Sequence, residues 1–440
     1  MGRGQVTRLA SPPAKDVSGN SSASDVDKKA ETVKRSVAVK SRKRKRDRDD
    51  ILCTVTPWMN SLDVTEYKSL EQRLHHEILA FLKYVNPIPE EKAARQQVYE
   101  LVCKVLNQRF QECQIHLCGS VAQELPLLDS DIDITLNTDP ADWKKCTSDL
   151  SQRVKDVGMA ENVFVKRRSR IPRISFQTTP ASASLRIDIR FNNNNHRAVP
   201  VVKRYPDSMP ALKPLTLVIR CFLRQRTLGS VGGLHSYVIF WMVVSMLHLN
   251  PFGRSWGITN APMSTESLGI LLADFFSYYG TLFPYDTSYI SIIQRSLMPK
   301  ENSDSGLVLY CPLNPDSDIN KSFNKSSNKL DRIKAAFRQG YTILKDSTQQ
   351  CSDLGAILGL IQEMITQREH VQHTVNNGNL SATIQASNAL AQKPFDTPER
   401  YRKRRHPRQN LKSARRLVPH ESSYSDCEVN EEPMSKRQRL

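Results

Sequence analysis

The chain has no CxxC pair and no Cys/His run at zinc-binding spacing: its nine cysteines, at 53, 103, 113, 118, 146, 221, 311, 351 and 427, are scattered. A built-in zinc knuckle is therefore not expected, and the thiols read as reduced and intracellular. Long hydrophobic runs are missing too. The most apolar stretch, residues 237–249, is too short to span a bilayer, is interrupted by Ser245 and His248, and reads as a buried helix. The first residues hold no apolar signal segment, and Gly2 is not followed by the Ser or Thr at position 6 that myristoylation requires, so secretion and lipidation are not expected. No repeat of fixed period is found. Acidic residues are in deficit, 45 against 63 Lys and Arg, for a net charge of +18. That balance implies a polyanionic partner without deciding between nucleic acid and an anionic surface.

The positive charge is concentrated at the ends. Residues 1–50 and 396–440 together carry 12 of the 18 net charges, which leaves the middle only mildly basic. Residues 1–50 have too few large apolar side chains to bury a core and read as a disordered basic tail, as do residues 396–440. Residues 40–46, KSRKRKR, form a cluster of the nuclear-localisation type, with nonspecific RNA contact as the alternative; Arg402 and Arg405 bound a second cluster. The Arg-rich, Ser-containing start keeps a mitochondrial destination as the alternative to the nucleus. A chain of 440 residues leaves ample length for two domains between the tails.

Residues 117–136 read LCGSVAQELPLLDSDIDITL, a Gly119-Ser120 pair followed by Asp131-Ile132-Asp133. In a strand, period-2 alternation places both aspartates on one face and sends Ile132 and Ile134 into a core. Two carboxylates so placed can hold a hard divalent cation. A Gly-Ser turn offers exposed N–H groups, a hydroxyl and close backbone approach to a phosphate. A lone Asp-x-Asp is more often a solvated turn. Here a third carboxylate follows: residues 184–191, SLRIDIRF, alternate as a strand with Asp188 between Ile187 and Ile189, where a charge without a partner would be costly. Three such aspartates can build a two-metal site, one ion activating a hydroxyl and the other steadying a triphosphate.

These residues resemble the signature of polymerase-beta-type nucleotidyltransferases. Residues 215–249, 268–285 and 309–341, with the Pro57-Trp58 opening of residues 56–87, resemble the central domain of noncanonical poly(A) and poly(U) polymerases. The similarity runs from about 56 to 344 and is greatest to the nuclear RNA-surveillance enzymes, the catalytic subunits of TRAMP-type complexes. The fold it implies is α+β: a mixed-sheet catalytic domain at 111–197 inserted into a mostly helical central, PAP-associated domain built from 51–110 and 198–346, with a weakly helical extension at 347–395. Local patterning agrees. Leu70, Leu74, Ile78 and Leu82, then Val98, Leu101, Val102 and Val105, recur at helical spacing, and five alternating strand patterns with one helix fill 111–197. The cleft between the two domains is the expected ligand site.

The resemblance also assigns roles. Asp131, Asp133 and Asp188 would ligate Mg²⁺ or Mn²⁺ and carry catalysis; Gly119 and Ser120 would hold the β- and γ-phosphates. Residues 212–226 form a helix with Arg220 and Arg224 one turn apart; relatives usually carry lysine at the first position, where arginine can still pair with phosphate. Ser236 and Tyr237, after Gly232-Gly233, match the segment in which a serine meets phosphate and a tyrosine stacks on the base. Residues 312–323, PLNPDSDINKSF, resemble the nucleotide-recognition motif, but Ser317-Asp318 stands for Asn-Asp and Asn320 for glycine. The histidine that uridylyl enzymes use against adenine is missing, and Val199 stands where they have asparagine. The expectation is a template-independent RNA 3′-terminal adenylyltransferase using ATP, nuclear, tagging RNA for exosome processing or decay. No RRM or KH signature is visible, so a zinc-knuckle RNA-binding protein and a DExH RNA helicase are the implied partners, with no membrane. The alternatives are a terminal uridylyltransferase and, from another class, a catalytically inactive RNA-binding scaffold.

Overall fold

The computed structural model describes residues 54–392, apart from 64–65, 68, 111–112, 139–142, 161, 169–170, 230–233, 302–305, 325–326 and 347–351. The basic tails, both basic clusters, Gly232 and Gly233 lie outside the described residues. A two-residue strand β1 (Thr54–Val55) precedes helices α1 (Leu70–Val85) and α2 (Pro89–Arg109). Then come β2 (Gln114–Cys118), one helical turn α3 (Gly119–Ala122), β3 (Ile132–Asn137), α4 (Trp143–Asp156), β4 (Val163–Lys166), β5 (Arg173–Gln177) and β6 (Arg186–Phe191). Five of these strands form a mixed sheet in the order β2-β3-β6-β5-β4; β3 and β6 run parallel and the other pairs antiparallel.

Strand alternation gives this sheet two unlike faces. Ile132, Ile134, Leu136, Ile174, Phe176, Ile187, Ile189 and Phe191 point to one side and are buried there. That core also contains Ala94, Val98, Leu101, Val102 and Val105 of α2 and Leu150 and Val154 of α4. The other face carries the polar partners of the same strands, Asp133, Thr135, Asp188, Arg190, Arg173 and Ser175.

The second core gathers Trp58 and α1 with α5 (Ala198–Ser208), α6 (Leu212–Gln225), α7 (Ser236–Leu249), a short α8 (Trp256–Asn260) and α9 (Leu268–Ser277). Helix α7 is buried from Val238 to Leu247, as a sequence apolar on all sides but for Ser245 requires, and no helix among the described residues is long and apolar enough to cross a membrane. A three-stranded sheet, β7 (Ser288–Ser291), β8 (Ser296–Pro299) and β9 (Leu309–Tyr310), interrupts the helices expected here. Helices α10 (Lys321–Asn324) and α11 (Ser327–Lys345) follow, then β10 (Leu360–Ile361), which pairs with β1, and finally α12 (Gln362–Asn376) and α13 (Asn379–Ala391).

Two boundaries differ from the sequence reading. Residues 51–110 do not go together into the central domain: Trp58 and α1 join the helical core, whereas α2 shares the core of the sheet. Within the weakly helical extension expected at 347–395, two regular helices form and belong to the sheet's side. These, α12 and α13, pack against α2, and Val371, Leu380 and Ala391 are buried in the sheet's core. Arg368, 8 % exposed, is ion-paired to Glu91 of α2 at 3.0 Å.

Candidate active site on the open face of the sheet

Pairing of the parallel strands sets Asp133 directly beside Asp188. A single guanidinium nitrogen of Arg190, Nη2, stands 3.3 Å from Asp133 Oδ1 and 2.8 Å from Asp188 Oδ2, bridging the two carboxylates. Asp188 is 6 % exposed and also accepts the Ser175 hydroxyl at 2.6 Å and the Arg190 Nε–H at 3.0 Å. The partners of this mid-strand charge are thus a serine and two arginines, Arg190 and, at 3.9 Å, Arg173. Burial pushes the Asp133 carboxyl up to about 7, against the pull of Arg190, and the neighbouring Asp188 and Asp131 charges add to the rise.

Asp131 lies just before β3 and is drawn aside. Its carboxylate is 44 % exposed and accepts the Arg186 Nε–H at 2.5 Å. The three-aspartate cluster expected from the sequence is, as the side chains stand, a pair with Asp131 next to it. Among the described residues no group of three or more His, Cys, Asp or Glu side chains is gathered as a metal site. The donor chemistry nevertheless fits a hard divalent cation. Asp133 and Asp188 already share one cationic nitrogen, and Asp131 is close enough to raise the Asp133 carboxyl.

Gly119 begins α3 with φ +67°, and a Cβ built on it would stand 2.0 Å from Asp133 Oδ2. Only glycine allows this backbone to lie against that carboxylate. Ser120 follows in the same turn. The neighbouring loop between α3 and β3 is held by arginines from several elements, none of which the sequence pattern pointed to in that role. Arg95 of α2 donates to the Leu128 carbonyl at 3.0 Å, Arg220 to the Leu125 carbonyl, and Arg186 to the Asp129 carbonyl; Arg224 is ion-paired to Asp129.

Arg220 and Arg224 therefore tie central helix α6 to the loop that carries Asp129 and Asp131. Burial, with Arg224 adding to it, lowers the Arg220 guanidinium to about 10, while Asp129 and Asp133 pull the other way, which places Arg220 within electrostatic reach of the aspartates. Ser236 is exposed at the first turn of α7. Tyr237 next to it has its hydroxyl 3.4 Å from Cys311 Sγ and its ring edge-on to Trp241, so the ring plane is fixed.

In the recognition segment the structure divides Ser317 from Asp318. Ser317 is exposed. Asp318 is turned inward: it accepts the backbone N–H groups of Leu309 at 3.1 Å and Asn320 at 2.8 Å, and the Asn324 amide at 3.1 Å. Asn320, where relatives have glycine, is fully buried and donates to the Leu307 carbonyl at 3.0 Å. Asp318 and Asn320 thus brace the segment, and the nucleotide-contacting role expected of Asp318 is not the one its present bonds serve. A separate cavity of about 600 Å³, lined by Glu266, Arg254, Asp274 and Tyr341 among others, contains none of the residues expected at the site.

Comparison with known proteins bears on the fold. Residues 74–198 match the family described as "Poly(A) RNA polymerase, mitochondrial-like, central palm domain", and residues 267–312 match "Cid1 family poly A polymerase". The chain is 29 % identical over 318 residues to the Poly(A) RNA polymerase cid14 of Schizosaccharomyces pombe, covering 69 % of this chain and 45 % of that protein. It spans about half the length of the curated relatives it matches. Among solved structures it resembles the polymerase core of TRAMP, an RNA surveillance complex, at TM-score 0.59 and 24 % identity, covering 72 % of this chain and 98 % of that one. It also resembles the Cid1 poly(U) polymerase in a mutant form bound to MgATP, at TM-score 0.54 and 18 % identity, covering 65 % and 98 %. Both structural likenesses establish the fold.

Proposed function

We propose that this chain, whose residues 74–198 and 267–312 resemble the palm and Cid1-type segments of noncanonical poly(A) polymerases, is an RNA 3′-terminal adenylyltransferase that takes ATP and releases pyrophosphate. The observation that carries the proposal is the Asp133–Asp188 pair on adjacent parallel strands, with the Gly119 backbone pressed against Asp133. That places an anion-tolerant turn and two carboxylates within one small volume. Asp133 and Asp188, joined by Asp131 on leaving Arg186, would hold Mg²⁺ or Mn²⁺. The cation, when bound, neutralises charge on the triphosphate and on the departing pyrophosphate.

The chain's own residues supply position. Gly119 and Ser120 offer N–H groups and a hydroxyl to the β- and γ-phosphates, and Ser236 does so from the start of α7. Arg220 and Arg224 fix the Asp129–Asp131 loop from below, and Tyr237 presents a ring of fixed plane for the base. Asp188 would help take up the proton of the RNA 3′-hydroxyl as its oxygen attacks the α-phosphorus and the bond from that phosphorus to the bridging oxygen of the departing pyrophosphate breaks. Nuclear location, tagging of RNA for exosome processing and assembly with a zinc-knuckle protein and a DExH helicase belong to the same proposal. Their support is the basic cluster at 40–46, the mild charge of the core and the likeness to the TRAMP polymerase core.

Extension of a short RNA with each nucleoside triphosphate separately, in Mg²⁺ and in Mn²⁺, tests the nucleotide assignment. ATP is expected to be preferred over UTP by roughly tenfold, the worth of one or two hydrogen bonds to a base edge. Longer tails from UTP at equal concentration would make the enzyme a terminal uridylyltransferase.

A further inference from the structure

Strand register places two rows of side chains across the open face of the sheet. Asp133 pairs with Asp188, Asp188 with Ser175, and Ser175 with Phe164, so the reacting carboxylates and Phe164 lie on one line. Beside it runs a second line, Thr135, Arg190, Arg173 and Lys166. Helix α4 covers the other side of β4, where Val163 and Val165 pack on the core. Phe164 on the open side is 59 % exposed and contacts no other described aromatic ring. An exposed phenylalanine on an edge strand invites aggregation unless it has a purpose or charged neighbours. Here Lys166 is exposed, and the Arg173 side chain is 40 % exposed with its Nη1 3.9 Å from Asp188 Oδ2.

Direction follows from the same register. The Gly119-Ser120 turn stands on the β2 side of Asp133, so the triphosphate approaches from that side. An acceptor strand presenting its 3′-hydroxyl to Asp188 must then arrive from the opposite side, over β5 and β4. We infer that this strip, Ser175 and Phe164 with Arg173 and Lys166 alongside, seats the last nucleotides of a single-stranded RNA acceptor, with one base stacked on Phe164. The inference rests on the adenylyltransferase reading and adds the acceptor's path to it. Neighbouring strands are about 4.8 Å apart, so Phe164 stands about 10 Å from Asp188 along the row. That is beyond the terminal nucleotide and in reach of those behind it. Stacking accepts any base and the cations follow the phosphates, so the strip holds RNA without reading its sequence.

The test uses the full chain with a 5′-labelled unstructured RNA at about 0.15 M salt. The Michaelis constants for RNA and for ATP are measured in extension, and RNA binding by fluorescence anisotropy. Phe164→Ala is expected to raise KM for RNA about tenfold, equivalent to about 1.4 kcal/mol, with KM for ATP within about twofold of wild type. Phe164→Trp should restore it, and Lys166→Ala should lower the salt dependence of binding. An RNA KM for Phe164→Ala within about twofold of wild type overturns the inference while leaving the adenylyltransferase reading intact. If the wild-type chain extends no RNA, that reading fails, and anisotropy alone decides the strip: weaker binding by Phe164→Ala supports it, and unchanged binding overturns it.

Discussion

Arg190 Nη2 reaches both Asp133 and Asp188, so these two residues act as one charged unit that accepts a cation between them. Removing either carboxylate leaves Arg190 with one acidic partner of the two and deletes one of the proposed cation ligands. Asp133→Ala and Asp188→Ala are each expected to lower AMP addition at least about a hundredfold, or about 2.7 kcal/mol at the transition state. Asp131→Ala should do the same if Asp131 leaves Arg186 to join them, and an Asp131→Ala protein with near-normal extension would confine the ligand set to the pair. Gly119→Ala tests the other wall of the site. Its Cβ would lie 2.0 Å from Asp133 Oδ2, and its backbone is left-handed at φ +67°. Left-handed strain alone costs about 1–2 kcal/mol; the contact adds displacement of Asp133. Differential scanning should show a lower Tm together with lost extension, and an unchanged Tm with full activity would contradict the placement of that turn.

At the scale of elements, α1 and α9 meet through His75, which is 1 % exposed and whose Nδ1 accepts the Leu268 N–H at 3.3 Å. That N–H opens α9 and has no partner within the helix. Burial holds the His75 ring down to about 4, with His76 adding to the effect. The unfolded chain, at about 6.5, takes up the proton first. The stability from neutral His75 is therefore present above about pH 6.5 and is lost as pH falls towards 4, by up to about 3 kcal/mol. His75→Gln should flatten the fall in Tm across that window; an identical slope in wild type and His75→Gln would contradict it.

The sheet was legible in the sequence because the Ile132, Ile134 and Leu136 series and the Ile187, Ile189 and Phe191 series each alternate strictly. The aspartates' common face follows from that. Arg190 and Ser175 were not legible as their partners, since alternation gives a face but not the cross-strand register that brings Arg190, Ser175 and Asp188 together. Helix α2 is evident as a helix from its periodicity, but the core it joins is not, because periodicity says which side is apolar and not what covers it. Helix α12 has a polar sequence and α13 a mixed one without charge, and the place of both comes from packing on α2. The strands β7 to β9 are two to four residues long, too short for a period to show.

For the whole molecule, charge and catalysis are separated along the chain: the net positive charge is mostly at 1–50 and 396–440, and the aspartates are in the mildly basic middle. A chain trimmed to residues 51–395 should bind RNA weakly and with strong salt dependence, and a zinc-knuckle partner should raise its activity by keeping the 3′ end near Asp133. Long processive tails from that trimmed chain alone, at low concentration and about 0.15 M salt, would contradict this division of labour. Replacing the Lys and Arg residues at 40–46 by Ala should reduce nuclear import of a fluorescent fusion without changing activity in vitro, and a wild-type fusion in mitochondria would overturn the assignment. The central claim, that nucleotidyl transfer takes place on the open face of the sheet, is tested most directly by extending a labelled RNA with ATP and Mg²⁺, wild type beside Asp133→Ala. The account predicts a ladder of added AMP with wild type and none with Asp133→Ala at equal folded protein; a ladder of the same length from both would contradict it.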